Sequence, residues 1–297
     1  MLRILFPLFL VFVAPAALAR EITDSTRTQV TLKDSPRRIV TLAPSLAELA
    51  ADLLGEDLQR IVGVSEYTDY PPALKKVSSI GSYSRFNLEK VLSLKPDLVL
   101  ATFDGNSEDQ VLHLRELGVP VVVVSTGDVS EIEESFRMVA RALDREERGA
   151  KLLAEFEAGI GHIRAQAKAR ADKGTPPCRV LLQLGDNPLI VVGGHTFLDE
   201  ALKLIGANNV YGDMEAHYPR PSLEDAIHRD PDTILVLALG DNGALFSQMA
   251  RRWTSLKSLQ AVAKNRVRVL RVDELLRPSM RLLEGLSRLE HAVYEQP

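Results

Sequence analysis

Short apolar runs alternate with segments of helical spacing along most of the chain. Runs suited to strands fall at residues 38–42, 61–64, 98–101 and 119–124, and again at 179–184, 189–192, 234–238 and 267–270. They are short and mostly apolar, and continuous apolar runs such as Val121-Val-Val-Val124 suit parallel strands covered by helices on both faces. The stretches between them repeat apolar residues at three and four positions, the mark of a helix with one buried stripe. The pattern predicts an α/β fold in which strand and helix alternate in both halves of the chain.

Residues 144–173 stand apart as one long helical segment. Leu152, Leu153, Phe156, Ile160 and Ile163 form a single apolar stripe on an otherwise Glu, Lys, Arg and Gln surface. Asp144 has the chemistry of an N-cap, and Glu147 follows at the capping-box position. A helix of about 28 residues, rising roughly 1.5 Å each, is a rod of about 42 Å. Such a rod is expected to bridge two bodies, the alternative being a surface helix of one domain. Gly159 and Gly161 each cost roughly 1 kcal/mol relative to Ala, so a bend there is compatible with the pattern.

The flanking halves echo each other. Residues 87–97 read NLEKVLSLKPD before a strand run, and residues 222–232 read SLEDAIHRDPD before another. Residues 45–55 (SLAELAADLLG) match residues 196–206 (TFLDEALKLIG), each with a hydroxyl cap, an acid three residues later and a closing glycine. Two lobes of one plan are expected, with a ligand site at the loops beyond the carboxyl ends of the strands. Residues 37–143 would form the first lobe, 144–173 the connecting helix and 174–297 the second lobe.

The first 19 residues follow another rule. Arg3 gives a positive start, residues 4–13 are an apolar run too short to span a bilayer comfortably, and Ala17-Leu18-Ala19 suits cleavage. Residues 1–19 are expected to be an export signal and 20–36 a mobile leader, leaving a soluble extracytoplasmic product. Cys178 is the only cysteine. It leaves no acyl-anchoring cysteine near the cleavage site and no intrachain disulfide. A length of 297 residues allows two domains, and a net charge of −4 gives no reason to expect nucleic-acid binding. Nothing in the sequence points to an oligomer, and a monomer is expected.

Candidate chemistry is sparse. The sequence contains no G-x-S-x-G elbow, P-loop, H-E-x-x-H or dinucleotide glycine fingerprint, and the six histidines are scattered. Gly193-Gly194-His195 reads as a turn before a helix cap. His217, beside Tyr218 and Pro219, is the one histidine in an expected cleft loop, but no second metal ligand is spaced with it. Tyr67, Tyr70, Tyr83 and Tyr218 all fall in loops expected to face the space between lobes. A tyrosine offers a flat apolar face and one hydroxyl, suited to a bulky ring with polar edges; the alternative is that each ring packs on its own lobe.

Four stretches together carry a resemblance: residues 41–50 (TLAPSLAELA), 63–72 (GVSEYTDYPP), 87–101 with its LKPDLV core, and 182–188 (LQLGDNP). They resemble the vitamin B12-binding periplasmic proteins of ABC importers, within a superfamily that also holds ferric-siderophore and haem carriers. The resemblance spans most of residues 37–290. It implies a class III periplasmic binding protein: two Rossmann-like lobes joined by a single rigid helix, with the ligand in the cleft. It implies further that Tyr67, Tyr83, Tyr218, Asp273, Arg277 and Arg281 face a corrinoid, and that Glu89 and Glu224 dock the lobes onto arginines of a membrane permease. Tyr218 stands where the best-known member has tryptophan, and Pro278 adjoins Arg277. Cobalamin would then be transported ligand rather than cofactor, and the chain no enzyme. Two alternatives stay open: a ferric-siderophore or haem carrier of the same superfamily, or an extracytoplasmic enzyme or metallochaperone on a related fold.

Overall fold

The computed structural model describes residues 20–32, 35–240 and 242–295. The expected signal, residues 1–19, lies outside the described residues. Strands β1 (Arg20–Thr23) and β2 (Gln29–Leu32) pair as an antiparallel hairpin. This departs from the mobile leader expected over 20–36. Ile22, Val30 and Leu32 share the inward face and are buried. Asp24, also buried, accepts from the Thr26, Thr28 and Val123 amides and from the Arg115 guanidinium, fastening the turn to the neighbouring strand.

The first sheet follows: β3 (Ile39–Thr41), α1 (Pro44–Leu54), β4 (Ile61–Val64), β5 (Ser78–Ser79), α2 (Leu88–Ser93), β6 (Leu98–Thr102), α3 (Glu108–Glu116), β7 (Val121–Val124) and α4 (Val129–Leu143). Its order is β5-β4-β3-β6-β7, and every pairing is parallel. Strands β3, β6 and β7 are buried along their whole length, which explains their lack of polar alternation.

The long helix comes next as α5 (Glu146–Asp172), 27 residues without a break. Beyond it lie β8 (Arg179–Asp186), β9 (Leu189–Val191), α6 (Phe197–Leu204), β10 (Asn208–Asn209), α7 (Leu223–Arg229), β11 (Thr233–Ala238), α8 (Gly243–Thr254), α9 (Gln260–Ala263), β12 (Val267–Arg271) and α10 (Leu282–Tyr294). The second sheet runs β10-β8-β11-β12 in parallel, with β9 folded back antiparallel on β8. Helices α2 and α7, which carry the echoed NLE and SLE starts, lead into β6 and β11, each inside its own sheet.

Two cap assignments differ from the sequence expectation. Asp144 closes α4 in the left-handed region (φ 61°, ψ 51°), and α5 opens one residue later with Arg145 as a cap that makes no side-chain bond. Glu147 is therefore free of the capping box and pairs with Lys151 at 2.7 Å, while its position in the first turn still suits the helix dipole. At the second site, α1 starts at Pro44 with Ala43 as cap, so Ser45 lies inside the helix. Its echo partner behaves as expected: Thr196 caps α6 and accepts from the Asp199 amide at 3.1 Å.

Helix α5 ties the two sheets together. It packs on α1 and α4 from the first half and on α6 and α10 from the second. Leu153, Phe156, Ile160 and Ile163 are buried, and one continuous apolar cluster runs through them from β3 and β6 to β8 and β11. The Phe136 and Phe156 rings meet at 5.2 Å. Gly149 permits the closest approach: a Cβ there would lie 2.3 Å from the Ala140 Cβ.

Two glycines of this helix predict opposite outcomes. At Gly161 a Cβ would meet nothing within 4 Å, so Gly161→Ala should stabilise by about 1 kcal/mol through helix propensity alone. At Gly149 the same gain is outweighed by overpacking of about 1–3 kcal/mol, so Gly149→Ala should destabilise. Urea unfolding of both variants checks the sign.

Candidate ligand-binding cleft

In parallel sheets all carboxyl ends share one edge, and the loops there form the natural floor of a site. Tyr67 follows β4, Tyr83 follows β5 and Phe103 follows β6 on the first sheet. Tyr218 lies between β10 and α7, and residues 272–281 follow β12. Tyr67, Tyr83 and Tyr218 are 73%, 43% and 55% exposed. None of the three is packed away within a lobe, though the Tyr218 hydroxyl is partly shielded from water. Phe103, 62% exposed, belongs with them and escaped the sequence reading; its only signal is that it is the first residue after a fully buried strand.

Each ring is held by local structure. A Cβ at Gly105 would come within 2.8 Å of the Tyr83 ring, so glycine leaves room for it. The Asn106 amide donates to the Tyr83 and Leu42 carbonyls at 2.6 and 3.1 Å and accepts from the Thr102 amide at 2.7 Å. Across the cleft, the Gly193 and Val191 amides donate to the His217 and Pro219 carbonyls at 2.9 and 3.1 Å, which fixes the Tyr218 segment. Burial pushes the Tyr218 hydroxyl above its ordinary value, and the nearby Tyr83 hydroxyl pushes it further. The two phenols come from loops of opposite halves.

Beneath the tyrosines lies a charged junction. Glu48 of α1 is 1% exposed, in a helix face that is otherwise apolar. Its carboxylate accepts from Arg277 at 2.9 Å, from Arg281 at 3.2 Å and from the Ser279 hydroxyl at 2.7 Å, all in the loop after β12. Arg277 also donates to Asp69 and, at 3.2 Å, to the Tyr67 carbonyl. Arg281 reaches Glu274 at 2.9 Å and lies over the Tyr70 ring at 4.3 Å. Tyr67 has φ 67°, a left-handed conformation costing roughly 1–2 kcal/mol for a bulky residue. The bond from Arg277 to its carbonyl helps to hold it there.

Arg277 and Arg281 are therefore brought to the cleft, but their guanidinium groups are occupied by carboxylates. Asp273 is half-buried in the same loop, and the carboxylate engaged is its neighbour Glu274. Glu48 was missed because a capping role accounted for it locally, and Asp69, Glu274 and Ser279 because their partners come together only in the fold. A lone acid inside the run Leu46-Ala-Glu-Leu-Ala-Ala51 was the available signal, since a buried charge needs partners. Glu200 of α6 comes close to the start of α4: burial raises its carboxyl above the ordinary range, and the Val129 amide opposes that shift.

Glu89 and Glu224 are exposed at the second position of α2 and α7. The caps behave as expected, Asn87 accepting from the Lys90 amide at 2.9 Å and Ser222 from the Asp225 amide at 3.1 Å. Backbone amide and Ser222 hydroxyl donors hold the Glu224 carboxyl below its ordinary value. Helix α7 is anchored by the Tyr211 hydroxyl, which donates to Asp225 at 2.9 Å, and by Arg229 stacked 4.4 Å from the Tyr211 ring. His217 is exposed with its ring edge-on to Tyr218 at 6.4 Å. His195 is exposed at φ 57° in the turn before the Thr196 cap. Among the described residues no group of three His, Cys, Asp or Glu side chains could hold a metal ion, and no helix is long and apolar enough to cross a membrane.

The junction has a pH signature. Burial, reinforced by Glu48 one turn away, raises the Asp52 carboxyl to about 6, against the opposing pull of Arg148 and Arg281. A raised carboxyl stabilises the fold fully below its unfolded value near 4, and that contribution is lost as pH climbs to about 6. Asp52→Asn should therefore be more stable than the parent at pH 7.5, on the order of 1 kcal/mol after allowing for solvent screening, and equal to it below pH 4. Thermal melts across pH 3.5–8 check this; a difference that grows toward acid would contradict it.

Comparisons with known proteins agree with this architecture. Residues 39–273 match the model of a family described as periplasmic binding protein. A vitamin B12-binding protein of Pectobacterium atrosepticum is 31% identical over 207 residues, covering 69% of this chain and 73% of the relative. The crystal structure of the periplasmic vitamin B12 binding protein of Vibrio cholerae superposes with TM-score 0.75 at 29% identity, covering 87% of this chain and 97% of the other. The apo periplasmic heme-binding protein of Roseiflexus sp. RS-1 gives TM-score 0.75 at 28% identity, over 87% and 98%. The expected α/β class III architecture is met, and catalysis has no part in it: the chain belongs to the periplasmic binding protein family, whose members bind a ligand and do not transform it.

Proposed function

We propose that this chain is the extracytoplasmic binding component of an ABC importer, holding a corrinoid between its two halves and delivering it to a membrane permease. The reading rests on the exposed aromatic rings in the loops at the carboxyl ends of the two sheets, Tyr67, Tyr83 and Phe103 in the first half and Tyr218 in the second. Flat rings with a single hydroxyl suit a macrocycle that is apolar on its faces and amide-lined at its edges. The vitamin B12-binding relatives support the same ligand. The mature protein would act in the periplasm as a monomer, after loss of residues 1–19. Its lobes would divide near the ends of α5, with 37–143 before it and 174–297 after it.

A haem or ferric-siderophore ligand is the second reading, favoured by the heme-binding relative and by the exposed oxygen and nitrogen donors of Tyr67 and His217. The charge of the junction counts against it. Of the four arginines in these loops, Arg277 and Arg281 are committed to Glu48, Asp69 and Glu274, while Arg85 and Arg220 are exposed beside Tyr83 and Tyr218.

Glu89 and Glu224 are proposed to dock the permease. Both helices start at the carboxyl edge of their sheets, which sets the two exposed carboxylates at matching points of the two halves. The helix dipole stabilises an acid there by roughly 0.3–1 kcal/mol without any partner, so position alone does not require docking. The matched pair and the family resemblance are what favour it.

Two experiments test the proposal. Tyr67→Ala and Tyr218→Ala should each weaken cyanocobalamin binding by roughly 1–3 kcal/mol in calorimetric titration, the range of aromatic anchors; two unchanged affinities would move the site elsewhere. The double variant Glu89→Ala/Glu224→Ala should retain the ligand and lose both permease binding and cellular uptake. Uptake by that variant at the parent rate would refute docking through these carboxylates.

A further inference from the structure

The junction beneath the tyrosines contains more acid than base. Two guanidinium groups, Arg277 and Arg281, face three carboxylates, Glu48, Asp69 and Glu274. Glu48 lies almost wholly out of water and engages both arginines at once. Asp69 is the outer member, its side chain 55% exposed on the cleft loop that carries Tyr67 and Tyr70. Arg288, the nearest further cation of α10, lies 3.6 Å from Glu274 but is bound more closely by Glu284 at 2.5 Å. The junction itself is therefore neutral to negative, although it is built around two arginines; Arg85 and Arg220, exposed beside Tyr83 and Tyr218, form no part of it.

We propose that Glu48 and Asp69 are specificity-determining residues: they cancel the charge of Arg277 and Arg281 and so bar anionic chelates from a cleft whose aromatic walls would otherwise accept them. The inference rests on the ligand-carrier reading and adds the basis of its selectivity. A flat tetrapyrrole with carboxylate side chains and a corrinoid with amide side chains offer similar faces to Tyr83 and Tyr218. They differ in the charge at their edges. Discrimination between such ligands comes from an unfavourable element as much as from an attractive one, and like charges set against each other supply it. Glu48 does this from below by occupying the arginines, and Asp69 does it from the rim by adding a negative charge of its own.

The geometry also gives the junction a positioning role. Arg277 bonds to the Tyr67 carbonyl and Arg281 covers the Tyr70 ring. A change at Glu48 alone could then alter the tyrosines as well as the charge. Salt dependence separates the two effects, because a displaced ring is insensitive to ionic strength and an uncompensated guanidinium is not.

The test measures binding of haemin and cyanocobalamin, one anionic and one without net charge, to the full-length mature protein and to Glu48→Gln/Asp69→Asn. The variant leaves two guanidinium groups against the single carboxylate of Glu274. Haemin affinity should rise about tenfold over the parent at low salt, cyanocobalamin should gain less, and the haemin gain should shrink at about 0.5 M salt. Asp69→Asn alone, at an exposed position, carries the same test with a smaller rise if loss of the buried Glu48 charge impairs folding. Haemin bound no more tightly by the folded variants than by the parent overturns the proposal, as does a gain that salt leaves intact. A parent protein that fails to bind cyanocobalamin would instead count against the corrinoid reading, and the haemin comparison would still decide the role of Glu48 and Asp69.

Discussion

A carboxylate at 1% exposure needs partners, and Glu48 finds them more than two hundred residues away in the chain. Its two arginines and one serine come from the loop after β12, so the first helix of one half is bonded to the last loop of the other. Such buried ion pairs contribute little net stability when formed, but removing one partner costs about 3–5 kcal/mol. Their value here is geometric. Arg277 and Arg281, once fixed, extend to the Tyr67 carbonyl and the Tyr70 ring, and so set the first-half cleft loop against the second half.

One other link works with this junction. Helix α5 carries a continuous apolar cluster from one sheet to the other, with Gly149 letting it approach α4 closely. Glu200 of the far half comes close to the start of α4. The α5 core and the Glu48 junction together attach one sheet to the other. A site whose walls are already in place loses less entropy on binding a large rigid ligand. The same attachment would hold Glu89 and Glu224 at a constant spacing, which recognition by a permease at two points requires.

Much of the fold was legible in the sequence because the strands are short, apolar and separated by clear helical periods. Strand β4 has the expected bounds, and β3, β6, β7, β8, β9, β11 and β12 each differ by no more than two residues at either end. The echo located α2 and α7 and their caps through a local pattern of cap, leucine and glutamate. Local patterns also misled. Asp144 looks like a cap and instead closes the preceding helix, and Glu48, which reads as the acid after a Ser45 cap, lies deeper in α1 and serves a distant arginine pair. Residues 20–32 looked like a leader because four-residue strands need a partner surface to be stable, and that surface is not visible in the segment itself. The exposed tyrosines were singled out by loop position, whereas Asp69 and Glu274 acquire their arginine partners only when distant loops meet.

The central claim is that a corrinoid sits between the two sheets, over an ionic junction that stays closed. A crystal structure of the mature protein with cyanocobalamin tests it most directly. The account predicts one corrinoid between Tyr83 and Tyr218, contacting Tyr67, with the bonds from Glu48 to Arg277 and Arg281 intact. A corrinoid bound outside that space, or bound there with Arg277 released from Glu48 to grip it, would contradict the account.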